Sequence, residues 1–268
     1  MKELLTDRVA FITGAGSGMG KAMAELFSEE GAKIVATDIN EANVQGTIDD
    51  VKKKTDGLAI KMDVTKSDQI KAAVGQAIAK FGKIDILVNC AGGVIGKSAT
   101  SPTSNSIVTL PEEDFDLVIG LNLKSAFLVS QNVAPHMIEK KYGKIINISS
   151  LGAVHPPQSQ PHYHPAKAAL LGLTYDLAVE LGQYGICANA IMPGVIKTAF
   201  YDQMLATKPK QFQEEFFDML AAGTLLKRVG TGKDIANVAL FLSSELSDFV
   251  TGAVIYATGG APLRKEGK

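Results

Sequence analysis

Tyr163 and Lys167 stand four residues apart in HYHPAKAAL (162–170), with Pro165 between them. Positions i and i+4 share one face of a helix, so the phenol and the ammonium point the same way. A cation beside a phenol favours the phenolate and lowers a pKa that is about 10 when unperturbed. That moves a tyrosine toward proton transfer near neutral pH. Proline is tolerated in a first helical turn, because the N–H it lacks has no intrahelical partner there. The helix is therefore expected to begin between His162 and Pro165 and to run to about Leu181. A half-buried tyrosine beside a snorkelling lysine has the same spacing, so the pair alone does not decide the chemistry.

A second group lies near the start of the chain. TGAGSGMG (13–20) follows an apolar run and opens a helical one. Gly14, Gly18 and Gly20 permit a tight turn and close backbone approach, and a helix N-terminus offers free N–H groups to a pyrophosphate. The spacing is G-x-x-x-G-x-G rather than G-x-G-x-x-G. Asp38 closes the next apolar run, 24 residues past Gly14. A carboxylate there accepts the adenosine ribose hydroxyls and repels a 2′-phosphate. Neither Ser17 nor Ile39 adds a positive charge for that phosphate, so NAD(H) is favoured over NADP(H). The other reading of Asp38 is a helix N-cap.

These groups need elements to carry them. Strand-like runs at 8–13, 32–38, 58–64, 84–92, 143–150, 185–194 and 253–260 alternate with helical runs at 20–31, 41–54, 67–81, 112–141, 163–181 and 233–243, with a break expected near Gly120. Apolar strands alternating with helices imply an α/β fold: a single Rossmann-like doubly wound domain, a seven-stranded parallel sheet with helices on both faces. Residues 1–268 are expected to form one dinucleotide-binding and catalytic domain. Ligands bind such sheets outside the carboxyl ends of the strands, and the candidate residues fall after strand ends or on helices facing that edge.

The bulk composition narrows the function classes. The chain has 268 residues, 46% of them hydrophobic, and a net charge of −1. No basic stripe suggests nucleic acid, no start resembles a signal peptide, and no apolar run reaches the roughly 18 residues of a membrane span. Cys90 and Cys187 lie in apolar runs and read as free thiols suited to a reducing cytoplasm. His155, His162 and His164 have no acidic or cysteine partner close in sequence, so no metal is expected.

Together the motifs resemble the short-chain dehydrogenase/reductase family, in a one-domain form of roughly 250 residues. The likeness runs from about residue 5 to 260. TGAGSGMG resembles its TGxxxGxG motif, NCAG (89–92) its NNAG, LNLKSAF (121–127) the surroundings of its catalytic Asn, NISS followed by YHPAK its Ser and Tyr-x-x-x-Lys, and PGVIKT (193–198) its PG motif. The resemblance implies that Tyr163 is the general acid/base and that Lys167 bonds the nicotinamide ribose and, with the cationic ring of NAD⁺, lowers the Tyr163 pKa. Of Ser149 and Ser150, it selects Ser150, 13 residues before Tyr163, as the group holding the substrate oxygen. Asn122 would tie a water to Lys167 and open a proton relay. Cofactor contacts would come from Gly14, Ser17, Gly18, Met19, Gly20, Asp38, Ile39, Asp63, Val64, Asn89, Ala91, Gly92, Tyr163, Lys167, Pro193, Gly194, Ile196 and Thr198. Asp63 also reads as a turn aspartate. Cys90 departs from the family's Asn, and altered local hydrogen bonding is expected there.

Substrate contacts are expected from Ser150, His155, Gln160, Tyr163, Phe200, Tyr201 and Met204. The apolar stretch at about 195–226 corresponds to the family's substrate lid and suggests a fairly hydrophobic secondary alcohol or ketone. The Ser/Thr-rich connection at 93–115 is long for this family, and long loops beside a site often bind ligand. A 3-hydroxyacyl-CoA or 3-oxoacyl-thioester dehydrogenase is the second reading. A non-catalytic cofactor-binding regulator is the third, and the intact Asn122, Ser150, Tyr163 and Lys167 argue against it. A homotetramer is expected by analogy.

Overall fold

The central strands of this chain are apolar on both sides, and only a sheet covered by helices on both faces can bury them. The computed structural model describes residues 3–96, 106–157, 159–198, 201 and 205–263. Seven parallel strands form the sheet: β1 (Val9–Thr13), β2 (Lys33–Asp38), β3 (Gly57–Lys61), β4 (Ile86–Asn89), β5 (Gly143–Ile148), β6 (Ile186–Pro193) and, last in the chain, β9 (Val254–Ala257). Their order is β3-β2-β1-β4-β5-β6-β9. The chain winds outward one way from β1 to β3 and the other way from β4, so a crevice opens at the carboxyl ends of β1 and β4.

Side chains alternate across β1. Ala10 and Ile12 join one apolar layer, and Val9 and Phe11 the other. The first layer packs under α1 (Gly18–Glu29), α2 (Glu41–Val51) and α8 (Gly232–Ser243). The second packs under α3 (Ser67–Phe81), α5 (Ser125–Lys140) and the end of α6 (Tyr163–Leu181). The first helical turn of α6 accommodates Pro165, and His162 caps the helix with its Nδ1, which accepts from the Tyr163 N–H at 3.0 Å.

The break expected near Gly120 is a change of helical pitch. α4 (Glu112–Ile119) runs through a π-helical turn at Gly120–Lys124 into α5. Such turns insert a residue into the ladder and turn a side chain out of its regular row; here that turn carries Asn122. The joined helix, Glu112–Lys140, is long and apolar enough to span a bilayer by length and composition, and 44% of its most apolar window is buried. Val129, Val133 and Met137 of α5 belong to the second core layer.

Between β6 and α8 come β7 (Ile196–Lys197), α7 (Lys210–Ala222) and β8 (Gly230–Thr231), with β7 and β8 paired in a two-stranded sheet of their own. The start of α8 is fixed by a capping box between Thr231 and Asp234, and Arg228 grips the Asp234 carboxylate with both Nη atoms, at 2.7 and 2.8 Å.

Candidate active site

The glycine turn after β1 is open where a ligand backbone must approach. Gly14 and Gly18 have φ of +66° and +54°, which side-chain-bearing residues rarely adopt. A Cβ on Gly14 would lie 2.9 Å from the Ala91 Cα. Gly20 is packed against the Gly14 carbonyl, with no room for a side chain. Ser17 caps α1 without using its side chain, and Met19 sits part-exposed in the first turn. This leaves an unscreened helix N-terminus, the feature that binds phosphate. Gly18 faces Thr198 across the crevice, its Cβ position 3.6 Å from the Thr198 side chain.

Asp38 ends β2 half-buried at the same edge. Its carboxylate accepts the Gly16 N–H at 2.9 Å and the Asn40 N–H at 2.9 Å. The helix cap next to it is Asn40, whose side chain accepts from Asn43, so Asp38 is not the cap of α2. A Cβ on Gly16 would lie 2.8 Å from the Asp38 carboxyl carbon. The glycine thus lets the carboxylate stand against the turn. Ile39 is 66% exposed beside it. These glycines, the free helix end and the carboxylate at the second strand fit the phosphates and adenosine of a dinucleotide.

Other expected cofactor residues vary in placement. The Asp63 carboxylate accepts from both the Thr65 N–H and hydroxyl, at 2.9 and 2.7 Å, so it shapes the turn after β3; Val64 is buried next to it. The Asn89 side chain faces inward, donating to Ser130 at 3.1 Å and to Asn147 at 2.9 Å. Among the described residues its buried Oδ1 has no hydrogen-bond partner. The N–H groups of Cys90 and Ala91 both donate to the Thr13 hydroxyl, at 3.0 and 3.1 Å, which ties the exit of β4 to β1. Burial pushes the Cys90 thiol up to about 12. Pro193 and Ile196 are buried, and Gly194 lies against Thr258.

At the centre, the Ser150 hydroxyl neighbours the Tyr163 phenol closely enough to lower its pKa, and it accepts the Gly152 N–H at 3.1 Å. Ser149 instead donates to the Lys167 carbonyl at 2.7 Å, away from the phenol. Adjacent strand-end residues point to opposite sides, which divides the two serines. The buried Lys167 ammonium donates to the Ile148 carbonyl at 2.9 Å and lies 5.8 Å from the Tyr163 ring centre. A Cβ on Gly92 would lie 2.6 Å from the Asn122 Oδ1 and 2.9 Å from the Lys167 Nζ, so Gly92 is the floor against which both groups stand.

Within the protein, burial raises the Tyr163 pKa, the neighbouring Ser150 hydroxyl opposes the rise and the nearby Tyr201 adds to it; the lowering expected from Lys167 is one it exerts together with the cationic ring of NAD⁺. Burial also pulls the Lys167 ammonium down to about 8. Both N–H donors of Asn122 are used, by the Gly93 carbonyl at 2.7 Å and the Val118 carbonyl at 2.9 Å. Its Oδ1 accepts the Gly93 N–H at 2.9 Å, leaving one lone pair for a relay.

On the substrate side, His155 is exposed, and Gln160 helps line a shallow groove of about 350 Å³ with Pro156, Pro161 and His164. The His164 ring meets Tyr163 edge-on at 5.7 Å, a contact not read from sequence. Tyr201 lies near Tyr163, while Phe200 and Met204 fall outside the described residues. Among the described residues no three His, Cys, Asp or Glu side chains gather as a metal site.

The family model described as enoyl-(acyl carrier protein) reductase matches residues 14–262. The chain is 39% identical over 261 residues to a 3-oxoacyl-acyl-carrier-protein reductase of Thermotoga maritima, covering 96% of this chain and 98% of that protein. It is 40% identical over 265 residues to a (2S)-((R)-hydroxy(phenyl)methyl)succinyl-CoA dehydrogenase subunit of Thauera aromatica, covering 97% and 98%. The crystal structure of L-sorbose reductase from Gluconobacter frateurii, complexed with NADPH and L-sorbose, superposes with a TM-score of 0.90 at 28% identity, over 99% of this chain and 100% of that one.

Proposed function

Because the chain belongs to the short-chain dehydrogenase/reductase family and is an NAD(P)H-dependent oxidoreductase acting on CH–OH and C=O groups, we propose that it interconverts a fairly hydrophobic secondary alcohol and its ketone, with NAD(H) as the preferred cofactor and Tyr163 as general acid/base. The observation that carries this reading is the meeting of Tyr163, Ser150 and Lys167 at the carboxyl edge of the sheet.

The nicotinamide supplies hydride exchange at the substrate carbon. The protein's own groups manage the oxygen. Ser150 holds the substrate oxygen by a hydrogen bond and shares it with the Tyr163 phenol, which takes the hydroxyl proton during oxidation and returns it during reduction. Lys167, anchored on Ile148, presents its remaining protons toward the Gly92 side of the crevice, where a ribose would sit. Asn122 fixes the Gly92–Gly93 turn beside it. Pro193, Gly194, Ile196 and Thr198 form the opposite wall at the end of β6, and the segment at about 195–226 is the lid.

Asp38 supports the preference for NAD(H). Its charge stands beside the turn at the ribose end, held by two N–H groups, and a 2′-phosphate would meet it directly. The sorbose reductase was solved with NADPH, so the point needs its own test. The chain has no tryptophan, and NADH emission can be followed without that background. Binding of NADH at least about tenfold tighter than NADPH is expected; tighter NADPH would overturn the assignment. Tyr163→Phe protein that binds NADH yet loses turnover on a panel of secondary alcohols supports the chemistry, and unchanged turnover sinks it.

The thioester reading is kept for one reason. Two of its relatives are named for an acyl-carrier-protein and a CoA substrate. Adding 3-hydroxyacyl-CoA thioesters to the same panel separates the two substrates. A homotetramer is the expected assembly: α4 to α6 expose Phe115, Leu117, Phe127, Tyr175 and Val179, and the edge strand β9 with its approach exposes Leu246, Phe249 and Tyr256. Light scattering measures that state. The free thiols Cys90 and Cys187 suit the cytoplasm.

A further inference from the structure

Helix α7 has an amphipathic sequence, yet none of its residues is buried. Its aromatic side chains are therefore not consumed by the core. Phe216 and Phe217 are both part-exposed, and their ring centres lie 5.8 Å apart with planes at 74°. Consecutive helical residues diverge by about 100°, and a third ring closes the gap between them. Tyr201 lies 5.9 Å from Phe216 and 5.8 Å from Phe217, inclined at 51° and 67°. The Lys197 ammonium covers Phe217 at 4.9 Å from the ring centre.

The group sits beside the reacting position. The Tyr201 N–H donates to the Thr198 carbonyl at 2.9 Å, which fixes the trio to the loop after β7 facing the glycine turn. The Tyr201 phenol is also near enough to Tyr163 to influence its ionisation. Three tilted rings present edges and faces together, and such a surface prefers another ring to an alkyl group of equal size. Each well-placed ring pair adds about twofold to tenfold beyond area burial.

We infer that Tyr201, Phe216 and Phe217 form a subsite for an aromatic ring, so that the preferred substrate is an aryl-bearing secondary alcohol or ketone. The inference rests on the reading that Tyr163 acts on a hydroxyl–carbonyl carbon, and it adds the identity of the group beyond that carbon.

The test compares 4-phenylbutan-2-one with 4-cyclohexylbutan-2-one, which match in length and bulk. Dissociation constants are measured by calorimetry on the NADH complex, and kcat/KM is measured for reduction. The phenyl ketone is expected to bind about tenfold tighter. Phe216→Leu and Phe217→Leu, which keep apolar bulk, should each move the ratio toward one while leaving NADH affinity unchanged. Tyr163→Phe should keep the ratio. Equal affinity for the two ketones, binding of neither, or a ratio that both leucine variants leave unmoved overturns the subsite. If both ketones are reduced with equal efficiency, the chemistry stands and the subsite falls. If the phenyl ketone binds preferentially and is not reduced, the subsite stands and the chemistry falls.

Discussion

Asn122 and Gly93 hold each other by two reciprocal hydrogen bonds, Gly93 N–H to Oδ1 at 2.9 Å and Nδ2 to the Gly93 carbonyl at 2.7 Å. A side-chain amide matches a main-chain amide in this way only because it carries a donor and an acceptor side by side. Asn122→Asp keeps the shape and replaces the donor with an acceptor facing the Gly93 and Val118 carbonyls. We expect a loss of about 2–3 kcal/mol in urea unfolding and a fall in kcat of about a hundredfold. An unfolding midpoint equal to the wild type would show that the clasp does not form.

Gly92→Ala tests the floor of the site. The added methyl would overlap Asn122 Oδ1, which is pinned by its bonds, and the buried Lys167 ammonium. Turnover should fall at least about a hundredfold, because misplacement on the ångström scale is enough. The circular dichroism spectrum should remain that of the folded chain. Wild-type turnover would mean that neither group needs its present position.

Removing Ser150 has a definite direction with pH. Its hydroxyl is the influence that lowers the Tyr163 pKa against burial. In Ser150→Ala the phenol ionises at still higher pH, so the acidic limb of the alcohol-oxidation profile moves to the alkaline side. Ser150→Thr should restore it in part. A limb that stays in place, or moves to lower pH, would separate Ser150 from the phenol.

Lys167 couples the site to stability. Burial lowers its pKa from the ordinary 10.5 to about 8. Between those values the unfolded chain keeps a proton that the folded chain has released, so the unfolding free energy rises with pH. Relative to Lys167→Met, the wild type should gain stability from pH 8 upward, by about 3 kcal/mol over the full window. Tyr163 and Cys90 shift the other way, and their effects begin only near the ordinary values of 10.0 for the phenol and 9.0 for the thiol, so readings between pH 8 and 9 isolate the lysine. A pH-independent difference between the two proteins would show an ammonium that is not desolvated.

Much of this arrangement is legible in the sequence, for physical reasons. The strand positions follow from uninterrupted apolar runs, and the extents expected for α3 and α6 agree with the structure at 67–81 and 163–181. Tyr163 and Lys167 share a helix face because helical periodicity is local. What the sequence does not yield depends on depth and on partners distant in the chain. The rise in the Tyr163 pKa comes from desolvation by surrounding elements, which spacing cannot report. Thr13 receives two N–H groups from the end of β4, some 77 residues away. The inward turn of Asn89 depends on Asn147 in the neighbouring strand. The helix break near Gly120 is readable as a glycine, but its π-helical form, and the bond from the Asn122 amide to the Val118 carbonyl beside it, are not.

Helix α1, which offers its N-terminus to phosphate, is backed along its length by α8, near the other end of the chain. Met23, Ala24 and Phe27 share one apolar layer with Ile235, Ala236 and Ala239, and a Cβ on Gly232 would lie 2.9 Å from the Ala22 methyl. A nascent chain emerging from the ribosome N-terminus first therefore has the glycine turn early but lacks its brace until more than 230 residues are made. Nucleotide grip is acquired late in synthesis, and the amino-terminal strands and helices are not a module that can be cut out, fused elsewhere and expected to hold a dinucleotide alone.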